Sequence, residues 1–389
     1  MFRFFTSGES HGQALVSIIE GFPANVSVDV SFINTELKRR MGGYGRGARM
    51  KIESDQIEIL AGVRHGYTLG SPIAFVIRNR DWVNWVGTMS PEPDPEGAKK
   101  RRVTRPRPGH ADLVGALKYQ FQDMRNVLER SSARETTSRV GVGGFAKLLL
   151  KELGIVVYSH IISIKDVHLS DQGLEEVSSD LIPQIESSEM RCSDPSLDEA
   201  MKKAVDQAIE KGETVGGTFE VRATGVPPGL GSYVHWDRKL DGQLAQAIMS
   251  INAIKGVEVG SGLDSDPYGS QFHDEIFYDD EARRFYRKTN HAGGIEGGTS
   301  NGEEIIVRGI VKPIPTLRQP LMSVDFESKE PFKAQYERSD TCIVPAAGVI
   351  GEAMVGIVLA QAVQEKFGGD TIQEIQTNLK NYRCALKEV

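Results

Sequence analysis

The stretch AGVIGEAMVGIVLAQAVQEKF, residues 347–367, decides the fold. Wound at 3.6 residues per turn, its apolar side chains cover nearly the whole circumference, which predicts a helix with no solvent face that other elements must enclose. Earlier segments supply the enclosing strands. Residues 217–228, GTFEVRATGVPP, and 304–315, EIIVRGIVKPIP, each carry Val-Arg in a strand with a proline-bearing exit. Each is followed by an apolar helix, at 240–251 and 347–367, which suggests duplicated halves with helices enclosed by sheets. Further strands are expected at 14–20, 57–61, 73–78 and 155–164. Helices are expected from Asp29 or Ser31 through Arg40, over 113–128 and 133–153, and at 195–211. Strand pairs and helices mix without regular β-α-β alternation, so the class expected is α+β rather than a doubly wound parallel sheet. No stretch of the 389 residues reads as a linker, and a single domain over 1–389 is expected.

Composition narrows the function. The net charge is −7, yet residues 38–51 hold six basic residues and no acid, and 99–139 hold eleven against four. Arginine clusters on an acidic chain suit a small polyanion held at several points, because guanidinium pairs with phosphate and carboxylate in bidentate fashion. Nucleic-acid binding would require a basic surface with aromatic platforms, and aromatics are 7% of this chain. No uninterrupted apolar run reaches the roughly 18 residues of a membrane span. The N-terminus MFRFFTSGESHG lacks a signal peptide's apolar core, so a cytoplasmic location with no membrane partner is expected. Cys192, Cys342 and Cys384 are scattered and odd in number, which fits reduced thiols and no metal site.

The candidate chemistry begins at residues 107–140, RPGHADLVGALKYQFQDMRNVLERSSARETTSRV, with one histidine and five arginines. His110 follows Pro108-Gly109 at the mouth of a turn. Ser132 and Glu135 have the S-x-x-E spacing of a capping box, and a helix start offers free N–H groups to an anion. His11 stands between glycines in GESHG, residues 8–12. Both histidines are candidate general acids, whereas His65, His160, His168, His235 and His273 are read as structural. The loop 41–50, MGGYGRGARM, is either a plain connector or an anion loop using Arg46 and Arg49. Residues 290–302 pack five glycines, for tight turns or for close approach to a flat ligand, with Lys312 and Thr316 placed to line its edge. Asp340 either pairs with an arginine or serves as a base. Residues 90–106 read as an exposed loop and a possible lid over His110. The run 141–146, GVGGFA, fits a dinucleotide fingerprint but lies within a helical pattern, where its glycines would serve close packing. A phosphoryl-transfer enzyme is the main rival reading, and the lack of a Walker loop counts against it.

In their order these motifs resemble the chorismate synthase family over nearly the whole chain. The matching pieces are residues 8–12, 43–53 (GYGRGARMKIE), 68–82 (TLGSPIAFVIRNRDW), 107–112, 128–135 (LERSSARE), 289–302, 312–316 and 338–342. The resemblance implies a β-α-β sandwich of helices between antiparallel sheets, assembled as a homotetramer. It implies a lyase converting 5-enolpyruvylshikimate 3-phosphate to chorismate and phosphate by a 1,4-anti elimination that needs reduced FMN. Some members of the family reduce their own flavin with NADPH, and others rely on an external flavin reductase. Carried over by motif, His11 would protonate or stabilise the reduced flavin, His110 would assist the leaving phosphate, and Asp340 would be the base working through the flavin. Arg40, Arg46, Arg49, Arg107, Arg134 and Arg338 would hold the substrate. Ser131, Ser132, Ala133, Asn252, Ala253, Gly297, Lys312, Thr316 and Arg338 would line the flavin.

Overall fold

Helix Val344–Phe367 runs through the interior and is buried along its length except for a few residues near its C-terminal end. The computed structural model describes residues 2–47, 54–262, 268–335, 337 and 339–389. Pro345 sits in the first turn, where its missing N–H has no partner to lose, and Gly368 at φ +59° ends the helix. Sequence alone showed no uninterrupted apolar run of membrane length. By length and mean hydropathy (1.8) this helix could nonetheless cross a membrane, but 94% of its apolar window is buried inside the protein. The one acid in that apolar run, Glu352, is fully enclosed and meets Arg39, Lys147 and Arg191 at 2.7 Å, 2.7 Å and 3.0 Å. A buried carboxylate with three cations and the Ser159 hydroxyl is compensated, where an unpaired one would cost several kcal/mol.

On one side of this helix, Gly348 and Gly351 leave room for Ser159, Phe219 and Val221 of a five-stranded sheet. That sheet runs in the order Ile254–Val259, Ile305–Val311, Gly217–Thr224, Val156–Ile164, Val167–His168, with every neighbouring pair antiparallel. The two similar segments seen in the sequence are thus direct partners in one sheet, with Val221 opposite Val307. On its other side the helix meets helix Thr136–Glu152 at Gly143, where an added Cβ would collide with Ala353. Helix Thr136–Glu152 lies in turn on a second antiparallel sheet, ordered Arg3–Ser7, Ala14–Glu20, Ile73–Arg78, Glu58–Ala61. There Phe145 stacks on Phe75 at 5.9 Å, and a Cβ on Gly141 would come 2.8 Å from the Phe75 ring. Gly144 admits Ile33 of helix Val30–Met41. The fingerprint-like GVGGFA is therefore a packing device inside a helix.

Two local expectations are corrected. Residues 113–128 do not form one helix: Asp112–Tyr119 stops at Gln120, which adopts a left-handed φ of 56°, and a second helix runs Arg125–Ser131. The capping box at Ser132 does not form. Ser132 accepts from the Arg134 N–H and Glu135 turns to Arg139, so a 3-10 turn, Ala133–Glu135, precedes the long helix. A reciprocal capping box occurs instead at Thr371 and Glu374, opening helix Ile372–Leu386, which the sequence reading passed over. Residues 90–106 contain a short helix, Pro95–Lys99, and their end is held down. Val103 is buried and bonds Asp123 and Met124, while Thr104, Arg105 and Pro106 accept from Phe326, Gln335 and Ser323.

Candidate active site

His11 sits in the loop between the first two strands, and that loop is tied down from three directions. The Asn79 side-chain amide donates to the Gly12 carbonyl at 2.6 Å, Arg130 donates to the Gly8 carbonyl at 3.0 Å, and Ser132 Oγ lies 3.2 Å from Ser10 Oγ. The His11 backbone N–H donates to Glu129 Oε2 at 2.8 Å, and its ring Nδ1 lies 2.9 Å and 3.0 Å from the two Glu129 oxygens. Its imidazole stacks on Trp85 with 3.8 Å between ring centres. Burial pushes the Glu129 carboxyl up, but the hydrogen bonds and charge of His11, with Arg125 behind, hold it below the usual carboxylate range.

His110 has a similar frame built from different residues. Its Nδ1 lies 2.6 Å from Asp112 Oδ1, and Asp112 is gripped from the other side by Arg107 through Nε at 2.8 Å and Nη2 at 3.0 Å. Asp112 is also depressed well below its ordinary value, since His110 and Arg107 outweigh the effect of burial. Arg107 donates onward to Thr316 Oγ1 at 3.1 Å, and Lys312 Nζ donates to the Gly109 carbonyl at 2.6 Å. Burial first, and the nearby Lys255 second, pull the Lys312 ammonium below the usual lysine range. A half-buried cation beside another cation is a place where an anion is stabilised.

Residues 131–134 link the His11 loop to Asn252 and Arg40. Asn252 donates to the Ser131 carbonyl at 3.1 Å, and Arg40 donates to the Ala133 carbonyl at 2.8 Å and to Thr136 Oγ1 at 3.0 Å. Next to Asn252, Ala253 takes a left-handed φ of 71° and its carbonyl accepts from the Lys312 N–H at 2.9 Å. The chain of contacts then passes from Thr316, whose carbonyl accepts from Ser339 Oγ at 3.0 Å, to Asp340. Asp340 accepts from the Gly47 N–H at 2.6 Å and lies 3.4 Å from Arg46 Nε. Arg134 is buried and bound to Asp55 at 2.6 Å and to Asn79 Oδ1 at 2.8 Å. The structure therefore brings together His11, His110, Asp340, Arg40, Arg46, Arg107, Arg134, residues 131–133, Asn252, Ala253, Lys312 and Thr316.

Gly297 stands apart. It lies in the turn of a small hairpin beside Tyr233, and its neighbour Gly298 accepts from Leu240 at the start of helix Leu240–Met249. Asn252 follows the other end of that helix, and ten residues at 1.5 Å each separate the two by about 15 Å. Arg49 and Arg338 lie outside the described residues. The sequence reading missed Asp55, Asn79, Trp85, Asp112 and Glu129, all of which hold the expected site residues. Only Asp112, two positions after His110, carried a local signal.

With the geometry in hand, kinship is decisive. A family profile described as chorismate synthase matches residues 2–364. This chain belongs to the chorismate synthase family. A chorismate synthase of Alkaliphilus metalliredigens is 56% identical over 383 residues, covering 98% of this chain and 99% of the relative. One of Desulforamulus reducens is 54% identical over 391 residues, with full coverage of both. A crystal structure of a chorismate synthase superposes with a TM-score of 0.79 at 42% identity, covering 100% of this chain and 99% of the other. Family membership makes the chain a lyase of the shikimate pathway, which leads to the aromatic amino acids.

Proposed function

We propose that the chain forms chorismate from 5-enolpyruvylshikimate 3-phosphate at the surface between His11, His110 and Asp340, with reduced FMN against residues 131–133 and 252–253. The observation that carries this reading is a pair of buried polar atoms. Ser131 Oγ and Asn252 Oδ1 are both enclosed and lack a hydrogen-bond partner among the described residues. Buried polar atoms are rarely left so, because each costs about 1–3 kcal/mol. The two belong to residues joined to one another, and a ring system with its own N–H and C=O groups would satisfy both. Lys312 and Thr316 would hold the polar edge of that group.

Reduced FMN, bound there, would supply electron density to the substrate. The chain's own residues bind, orient and move protons. Arg40, Arg46, Arg107 and Arg134, with Arg49 and Arg338, would hold the phosphate and the two carboxylates of the substrate. Each described arginine is already anchored, so little side-chain freedom remains to be lost on binding. His110 would donate its Nε2 proton to the oxygen of the departing phosphate as the C3–O bond breaks, with Asp112 stabilising the imidazolium. Asp340 would receive the proton lost from C6. The electron pair of that C–H bond then becomes part of the new diene, and no net oxidation occurs. His11 would hold a proton at the flavin's edge.

The layered arrangement, two antiparallel sheets enclosing the helices Thr136–Glu152 and Val344–Phe367, would act as one domain with this site along one margin. A homotetramer is supported by the outer face of the four-stranded sheet, where Phe5, Val16, Ile18 and Leu60 are exposed together. A cytoplasmic setting and a reductant, NADPH or an external flavin reductase, complete the proposal. An anaerobic titration with oxidised and reduced FMN, with and without substrate, tests it. Tighter binding of the reduced form is expected, and no flavin binding under any of these conditions would defeat the reading.

A further inference from the structure

We propose that Glu129 and Trp85 act as positioning residues that lock His11 in the Nδ1–H tautomer and leave Nε2 as its one proton-exchanging atom. The inference rests on the reading of His11 as the residue that meets the flavin.

Both Glu129 oxygens lie within 3.0 Å of His11 Nδ1, and one of them also accepts the His11 backbone N–H. The Glu129 side chain has no solvent exposure, and Arg125 Nη1 stands 3.3 Å from it. An ionised carboxylate can only accept hydrogen bonds, so the atom facing it must carry hydrogen. In the neutral imidazole that places the single proton on Nδ1 and the lone pair on Nε2. A ring rotated by 180° would put carbon against two carboxylate oxygens and lose a charge-assisted bond. Stacking on Trp85, at an interplanar angle of 18°, keeps the ring plane fixed.

Trp85 is itself immobilised. Its indole N–H donates to Asp81 at 2.8 Å, and the Arg101 guanidinium lies 3.9 Å over its ring. Arg125 joins both parts, 5.5 Å from the Trp85 ring and bonded to Glu129, with Glu337 beyond it at 3.1 Å. Among the described residues His11 Nε2 has no hydrogen bond, and 14% of the side chain stays exposed. His160 gives the contrast. Its Nε2 meets Glu220 at 3.0 Å, its Nδ1 is buried without a partner among the described residues, and the residue has no solvent exposure.

The test is nitrogen NMR on the full-length protein with ring-15N histidine, read in a pH series at the pH where the His11 ring nitrogens themselves report a neutral ring. The His11 signals are assigned by their loss in His11→Asn. Wild-type protein is expected to show the proton on Nδ1. In Glu129→Gln the amide can donate to Nδ1, so the proton moves at least partly to Nε2. Turnover there should fall at least about tenfold with KM for substrate little changed. A wild-type proton on Nε2 would overturn the proposal, and so would an unchanged tautomer in Glu129→Gln. If Glu129→Gln does not fold, the wild-type spectrum alone decides. If the tautomers behave as expected while His11→Asn keeps full turnover, the clamp stands and the assigned role of His11 falls.

Discussion

Asp112 places its Oδ1 2.6 Å from His110 Nδ1 while Arg107 Nε holds its Oδ2 at 2.8 Å, so one buried carboxylate orients both the proposed proton donor and the arginine proposed to bind substrate. His110→Ala should leave flavin binding intact and slow phosphate release at least about a hundredfold, the usual worth of a general acid. Asp112→Asn should lower turnover comparably and also cost about 3–5 kcal/mol of stability, because Arg107 is left as an unpaired buried charge. Single-turnover phosphate assays and chemical denaturation separate the two effects. Full activity in His110→Ala would remove the residue from the mechanism.

Lys312 gives a binding prediction. Its ammonium is held below the ordinary lysine range by burial and by Lys255, and a bound anion would relieve both. Lys312→Met should weaken binding of the phosphate-bearing flavin about tenfold to a hundredfold, as expected for a lost charge-assisted contact of about 1.5–3 kcal/mol. Equilibrium titration monitored by flavin fluorescence measures this. An unchanged Kd would place the flavin elsewhere.

Acid should destabilise the fold in a defined window. Asp112 and Glu129 have folded-state pKa values below their ordinary range, each because hydrogen bonds and neighbouring cations outweigh burial. A depressed folded value means that the unfolded chain takes up the proton first as pH falls. Their stabilisation is therefore complete above the unfolded values near pH 4 and is lost as pH drops below that, through the folded values. Thermal melts followed by circular dichroism should be nearly level from about pH 8 to 5 and fall steeply below about pH 4. A midpoint that does not move down to about pH 3 would show that these pairs do not contribute.

Close helix packing supplies a stability prediction independent of the site. A side chain on Gly143 would run into Ala353 of the central helix. Gly143→Val should cost at least about 1–3 kcal/mol by overpacking, visible as a lower denaturation midpoint. Equal stability would mean that the helix pair can separate freely.

These outcomes also bear on what a sequence can disclose. The central helix was legible because its apolar residues leave no polar face, and the strands were legible from short apolar runs. The break at Gln120 was not, because a left-handed glutamine carries none of the signal that glycine or asparagine would. The capping box at Ser132 misled because its spacing is necessary but not sufficient: Glu135 is drawn to Arg139. In the site, the histidines and arginines announced themselves through glycine-flanked motifs. Their holders did not. Glu129 reads as an ordinary helix residue until folding brings it 118 positions back to His11, and Asp55 reads as loop until it meets Arg134. Gly297 was singled out within the glycine-rich run 290–302 by resemblance, and the fold places it at the far end of a helix from Asn252.

The proposed chemistry is elimination of phosphate from 5-enolpyruvylshikimate 3-phosphate at this surface with reduced FMN present. Anaerobic stopped-flow measurement of purified protein with reduced FMN and substrate, reading chorismate absorbance alongside released phosphate, tests it most directly. Equal amounts of chorismate and phosphate, formed over many turnovers per flavin with no net flavin oxidation, are predicted. Phosphate released without chorismate, or flavin consumed one for one with product, would rule that chemistry out.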